Sequence, residues 1–210
     1  MKLSRRGALR LLATALLAGQ ALPAHAALTA ADQADVGRAE QYLNAITTLQ
    51  AKFLQIGPRG EIAEGVFYLS RPGKLRFEYN PPAPALIVAD GFRLVFYDRG
   101  LDQVTAWPVG ATPLAPLLAR SINFTADGNA QAVTRDPGVL RVTLIDPPRP
   151  REGALTLVFQ DRPLELRQWV VLDAQGLNTV VALTDLQINP VLDAGLFVFS
   201  DDTHSGMRRP

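Results

Sequence analysis

No cysteine occurs anywhere in the 210 residues, and of the two histidines only His204 lies beyond residue 26. These shortages exclude most site chemistry. A chain without cysteine has no disulfide and no thiolate nucleophile, so its fold rests on core burial alone. With one histidine there is no material for a Ser–His–Asp or Cys–His unit, nor for a zinc site built on His or Cys. His204 sits in the run Asp201-Asp202-Thr203-His204-Ser205-Gly206, which reads as a solvated tail with too few acidic ligands for a cation. No phosphate-cradling glycine loop precedes a helix. The acids fall mainly at turns (Asp90, Asp98, Asp136, Asp146, Asp161), where aspartate is an ordinary turn former. No enzymatic activity, metal or cofactor is expected.

Long apolar runs are also missing, and no segment has the 18 or so residues needed to span a bilayer. The start of the chain does have a leader pattern. Residues 1–10 carry Lys2, Arg5, Arg6 and Arg10 without an acid, residues 11–22 are apolar, and Ala24-His25-Ala26 is a small-residue cleavage site. This predicts a signal peptide over residues 1–26, removed on export, and one domain over 27–210. Ser4-Arg5-Arg6 resembles a twin-arginine signal, but Ala8 stands where that pattern prefers a bulky residue, so the general secretory route is the expectation. Without a cysteine after the leader, no lipid anchor is expected there. Removing the leader's four basic residues leaves 17 basic against 20 acidic, a net −3. No nucleic-acid surface is expected from that balance.

What the chain does have is apolar surface, at 48% hydrophobic residues. Val36, Ala39, Leu43, Ile46 and Leu49 recur at helical spacing and predict an amphipathic helix over about residues 29–50. Strand signals then follow one another. In Lys74-Leu-Arg-Phe-Glu-Tyr79, Leu75, Phe77 and Tyr79 alternate with charged residues, which predicts a strand with one dry face. Alternation puts Phe67 and Leu69 of the preceding strand on that same face. Turn chemistry at residues 71–73, 81–84, 90–91, 136–138, 161–163 and 174–176 divides about ten strands, with a final extended piece at 197–200. Thr112 and Pro113 predict the cap and first residue of a short helix. No βαβ alternation occurs. The fold class is therefore mainly β with α: an antiparallel sheet forming a barrel or half-barrel with helices on one side. Residues 85–89 and 94–97 are apolar on both faces, which reads as central strands covered by helix, while an interior lined by Leu75, Phe77 and Tyr79 could equally wall an apolar cavity.

The run GVFYLSRPGKLRFEYNPPAPALIVADGFRLVFYDRGLDQVTAWPVGATPLAPLLA resembles the outer-membrane lipoprotein carrier proteins, the LolA family. The landmarks are Phe53-Leu54-Gln55 as the exit from the first helix, Gly65-x-Phe67-x-Leu69 and Arg71-Pro72. Val88-Ala89-Asp90-Gly91, Tyr97-Asp98, Asp102-Gln103 and residues 112–118 complete them. The resemblance implies the fold, an incomplete antiparallel β-barrel (half-barrel) covered by a helical lid, and a periplasmic chaperone, acting as a monomer, whose apolar cavity holds the acyl chains of triacylated lipoproteins. It receives them from an ATP-driven inner-membrane transporter and delivers them to an outer-membrane receptor. It implies a gating role for Arg71, which spacing alone would read as an exposed turn arginine. It also implies a cavity lined by Phe67, Leu69, Leu75, Phe77, Tyr79 and Leu114. Leu75, Phe77 and Leu114 stand where the family has bulkier aromatic side chains. Leu43, Ile46 and Leu49 are expected to pack the lid helix, and the interior is expected to stand vacant. A half-barrel used as a lipid or lipoprotein sensor is the alternative.

Overall fold

The computed structural model describes residues 27–83 and 85–199. The expected leader and the tail carrying Asp201, Asp202 and His204 lie outside the described residues.

The chain enters through α1 (Ala30–Asn44). Thr29 and Asp32 form a reciprocal capping box: the Asp32 amide donates to the Thr29 hydroxyl oxygen at 3.1 Å, and the Thr29 amide donates to the Asp32 carboxylate at 2.9 Å. Two otherwise unpaired amide donors of the first turn are satisfied that way. Val36, Ala39 and Leu43 form the buried stripe.

The helix ends about six residues earlier than the periodicity suggests. Leu43, Ile46 and Leu49 are spaced by three, but Leu49, Ala51 and Phe53 are spaced by two, and the second pattern governs. β1 (Thr48–Ile56) already contains Leu49, together with Phe53, Leu54 and Gln55. Its backbone pairs on both sides, with β2 (Ile62–Ser70) and with β11 (Asn178–Ile188). Two full ladders of hydrogen bonds outweigh one further helical turn ending in the β-branched pair Thr47-Thr48.

Between β2 and β11 the strands run β3 (Lys74–Tyr79), β4 (Ala85–Asp90), β5 (Arg93–Asp98), β6 (Gln103–Pro108), β7 (Ala130–Asp136), β8 (Val139–Ile145), β9 (Gly153–Gln160) and β10 (Glu165–Asp173). They make one antiparallel sheet in the order β6-β5-β4-β3-β2-β1-β11-β10-β9-β8-β7. β6 and β7 are its two edges, so the barrel is incomplete. The chain between them is the cover: a 3₁₀ turn at Val109–Ala111 and α2 (Ala115–Leu118). Thr112 does not cap α2 as expected. Its hydroxyl donates to the Val109 carbonyl at 2.8 Å and closes the 3₁₀ turn, which leaves Leu114 at the helix cap.

Register builds the inner wall. Ala51 and Phe77 flank Phe67, Leu49 and Leu75 flank Leu69, and Phe53 and Tyr79 flank Gly65. Glycine is required there, because a β-carbon on Gly65 would lie 2.0 Å from the Glu78 carbonyl oxygen and 2.8 Å from the Phe53 ring.

The outer face of β3 to β5 is covered by the C-terminal segment, not by helix. Leu86, Val88 and Tyr97 form a second buried cluster with Phe199 packed against it. Arg76, on the outward side of β3, is buried there, donating to the Leu196 carbonyl at 3.2 Å and to Glu78 at 3.1 Å. Phe197, expected to open a last strand, lies instead in a 3₁₀ turn (Ala194–Phe197).

Candidate functional site

The cover closes on the sheet through backbone acceptors. Arg71, at the β2–β3 turn, directs its Nε to the Ile46 carbonyl at 2.8 Å, and its Nη2 to the carbonyls of Leu43 and Ile46. The Leu43 carbonyl, in the last turn of α1, also accepts from the Ile46 amide at 3.1 Å, and the Ile46 carbonyl lies just past the helix; the negative end of the helix dipole favours a cation there. Burial pushes the Arg71 guanidinium below its usual range, yet an arginine keeps its proton at neutral pH. The Arg71 amide donates to the Thr47 carbonyl and the Gly73 amide to the Leu118 carbonyl. One turn of sheet thus holds the end of α1 and the end of α2.

Two asparagines complete the closure. Asn44 and the backbone of Ile122 exchange two hydrogen bonds of 2.9 Å, tying α1 to the chain after α2. Asn189 accepts from the Thr47 amide at 2.8 Å and donates to the Ala45 carbonyl at 2.9 Å, which holds the chain between α1 and β1.

The outward face of α1 is pinned by ion pairs. Arg135 of β7 reaches Asp32 at 2.8 Å and Asp35 at 2.6 Å, while Arg38 reaches Asp35 at 2.7 Å and Asp161 at 2.8 Å. Hydrogen bonds from the Thr29 side chain and backbone, then from Arg135, hold the Asp32 carboxyl below the usual range. At Asp35 burial pushes upward, but the hydrogen bonds from Arg38 and Arg135 outweigh it and the net shift is downward. A carboxylate lowered in the folded state contributes stability that is present above its unfolded pKa and lost as pH falls through its folded pKa. Acidification below about pH 4, the unfolded carboxylate range, therefore progressively releases this face of α1 as the lowered pKa values are passed. Hydrogen exchange should show residues 30–44 losing protection before the strands, and Arg135→Gln should flatten that dependence. Simultaneous loss in helix and sheet would contradict the pinning.

Beneath the cover lies a closed apolar interior. The space left in it is about 30 Å³, bounded by Leu43, Ile46, Leu49, Phe67, Leu69, Arg71, Leu75, Leu114, Leu117, Leu118, Ile122, Leu166 and Trp169. That is room for about two waters. The vacant interior expected from the sequence is thus corrected to a nearly filled one. Aromatic contacts fill it: the Phe67 and Phe77 rings are tilted with centroids 4.7 Å apart, and edge-on pairs stand at 5.4 Å for Phe67–Trp169 and 5.2 Å for Phe53–Phe77. A wider cavity of about 250 Å³ lies beyond α2, toward Leu144, Leu155 and Arg149.

Of the residues singled out in the sequence, Phe67, Leu69, Leu75 and Leu114 line the interior space, as do Leu43, Ile46 and Leu49. Only Leu43 of those last three is on α1; Ile46 lies in the connection and Leu49 on β1. Phe77 packs beneath, between Phe53, Phe67 and Trp169. Tyr79 lies further along β3 with its hydroxyl on Gln55 at 2.8 Å, and burial, against that hydrogen bond, pushes the phenol up to about 12.

Sequence reasoning missed Trp169 and Leu166, which form the far wall. Strict alternation cannot put residues three apart on one face, but the pairing of β10 with β9 shifts between Leu166 and Gln168, and that bulge turns both inward. Among the described residues, no three metal-ligating side chains gather.

The family model described as "Outer membrane lipoprotein carrier protein LolA" matches residues 44–200. An outer-membrane lipoprotein carrier protein of Chromohalobacter salexigens is 32% identical over 191 residues, 85% of this chain and 90% of its own. One from Alkalilimnicola ehrlichii is 34% identical over 184 residues, 81% of this chain and 80% of its own. Among solved structures, a LolA superfamily protein from Nitrosomonas europaea aligns over 80% of this chain and 97% of its own, at 13% identity and a TM-score of 0.43.

Proposed function

The chain belongs to the outer membrane lipoprotein carrier protein family, LolA, and from that membership we propose that it holds the acyl chains of lipoproteins in the interior under α1 and α2. It works in the periplasm as a chaperone between the two membranes. A triacylated lipoprotein cannot leave a bilayer unaided. Each methylene moved into water costs ~0.8 kcal/mol, so one 16-carbon chain costs on the order of 12 kcal/mol. A carrier has to offer a comparable dry surface and still release its load.

The observation that carries the reading is an interior walled by apolar side chains and closed by an arginine whose hydrogen bonds go only to backbone carbonyls. Those bonds break and re-form without leaving an ion pair behind. Because the closed interior leaves about 30 Å³, loading displaces the cover: Arg71 releases α1, and α2 swings away from the sheet. Arg71 is the gate, and Phe67, Leu69, Leu75, Phe77 and Leu114 meet the chains, with Tyr79 at the deep end. Cargo arrives from an ATP-driven transporter in the inner membrane and leaves to an outer-membrane receptor. Binding and release need no chemical step, so no residue is catalytic.

A native mass spectrum of the exported protein tests this. A species heavier by one triacylated lipoprotein, in a soluble fraction, is the expected result. A lipoprotein that stays with the inner membrane whenever the protein is supplied in excess would overturn the proposal.

A further inference from the structure

The interior space is walled by apolar side chains and one cation. Nε and Nη2 of Arg71 are engaged by helix-end carbonyls, whereas Nη1 is buried with no hydrogen-bond partner among the described residues. Among the described residues no carboxylate pairs with the guanidinium, and burial alone pushes its pKa down. A half-buried cation facing a dry space, with a donor left over and no counter-ion, is an unfavourable arrangement that an anion would relieve.

We propose that this site also takes a single-chain amphiphile with an anionic head, a long-chain fatty acid in the first instance. Its head pairs with Arg71 while its chain lies against Leu75 and Trp169. The inference rests on the reading that the interior accepts acyl chains, and extends it to a different ligand class. The chains of a triacylated lipoprotein are esters and an amide and bring no charge of their own. A carboxylate can accept from Nη1 and a second guanidinium nitrogen together, and such charge-assisted bonds are about twice as strong as those to a neutral carbonyl. The anion therefore draws the guanidinium from Leu43 and Ile46, and its binding unlatches the cover.

Competition against a fluorescent neutral probe, parinaric acid methyl ester, tests this with palmitate, hexadecanol and 1-palmitoyl lysophosphatidate at about pH 8. Palmitate and hexadecanol share the chain and differ in the head. The expected result is palmitate binding at least about tenfold tighter than hexadecanol, a ratio that Arg71→Gln reduces to about threefold or less and Arg71→Lys largely keeps. The tighter of palmitate and lysophosphatidate then shows which anionic head fits. Equal affinity of palmitate and hexadecanol, or a preference that survives Arg71→Gln, overturns the inference. A tripalmitoylated lipopeptide in the same assay separates the two claims. If the lipopeptide displaces the probe and palmitate does not, only the anion site falls; if palmitate alone displaces it, only lipoprotein carriage falls.

Discussion

Replacing Arg71 by leucine is expected to leave uptake of acylated cargo intact and to slow its release to a receptor by at least about tenfold. In the proposed mechanism, release is a competition between a loaded, open form and an empty, latched one. The proposed latch is the set of hydrogen bonds from the guanidinium to the carbonyls of Leu43 and Ile46. A hydrogen bond to a charged group contributes roughly 1.5–3 kcal/mol, and about 1.4 kcal/mol is already a factor of ten. Leucine at this position fills the same apolar space, so the open form keeps its dry wall while the empty form loses what favours closure. Arg71→Lys should fall between, since an ammonium group reaches one carbonyl where the fork reaches two. The measurement is transfer of a radiolabelled lipoprotein from carrier to receptor-bearing vesicles. Transfer at the parental rate would show that Arg71 is no latch.

A second large effect is expected at Trp169, which is 2% exposed and packs against Phe67 and Phe77 on the far wall. Truncating a buried tryptophan to alanine costs about 3–5 kcal/mol, because the transfer free energy is lost and a hole remains. Against a whole stability of roughly 5–15 kcal/mol that is severe. The midpoint of thermal unfolding should fall by about 10 °C or more. The hole is also where an acyl chain would lie. A ligand that binds only the folded state stabilises it by mass action, so a tripalmitoylated lipopeptide should raise the midpoint of Trp169→Ala by more than it raises the parent's. An equal rise in both proteins would place the chains elsewhere.

The strands were legible because a half-buried strand writes its period into the sequence: Leu75, Phe77 and Tyr79 alternate with Lys74, Arg76 and Glu78, and the structure buries the first three on one face. A barrel or half-barrel followed from strands at hairpin spacing without βαβ alternation, and the family resemblance supplied the incomplete form with its cover. The switch from α1 to β1 was not legible, because Leu49 fits both periods and only the two ladders formed by β1 decide between them. Arg76 read as solvent-facing because nothing local marks a segment 120 residues away as the cover of that face.

The proposed gate shows the same limit in sharper form. Arg71 grips carbonyl oxygens, and Asn44 and Asn189 clasp backbone as well. Every residue has a backbone, so such partners leave no trace in the sequence; the family resemblance pointed to Arg71, and nothing pointed to the asparagines. The filled interior was equally hidden, since alternation says which side chains face inward and not how closely they meet.

The central claim is that acyl chains enter the space now closed beneath α1 and α2, and fluorescence tests it most directly. The chain has two tryptophans, of which Trp107 is exposed on edge strand β6 and Trp169 forms the interior wall. In Trp107→Phe, Trp169 alone reports. Binding of a tripalmitoylated lipopeptide with a nitroxide on its acyl chains should quench that emission strongly, whereas a nitroxide on its peptide should leave it nearly unchanged. Bound lipopeptide with Trp169 unquenched by the acyl-chain nitroxide would contradict the account.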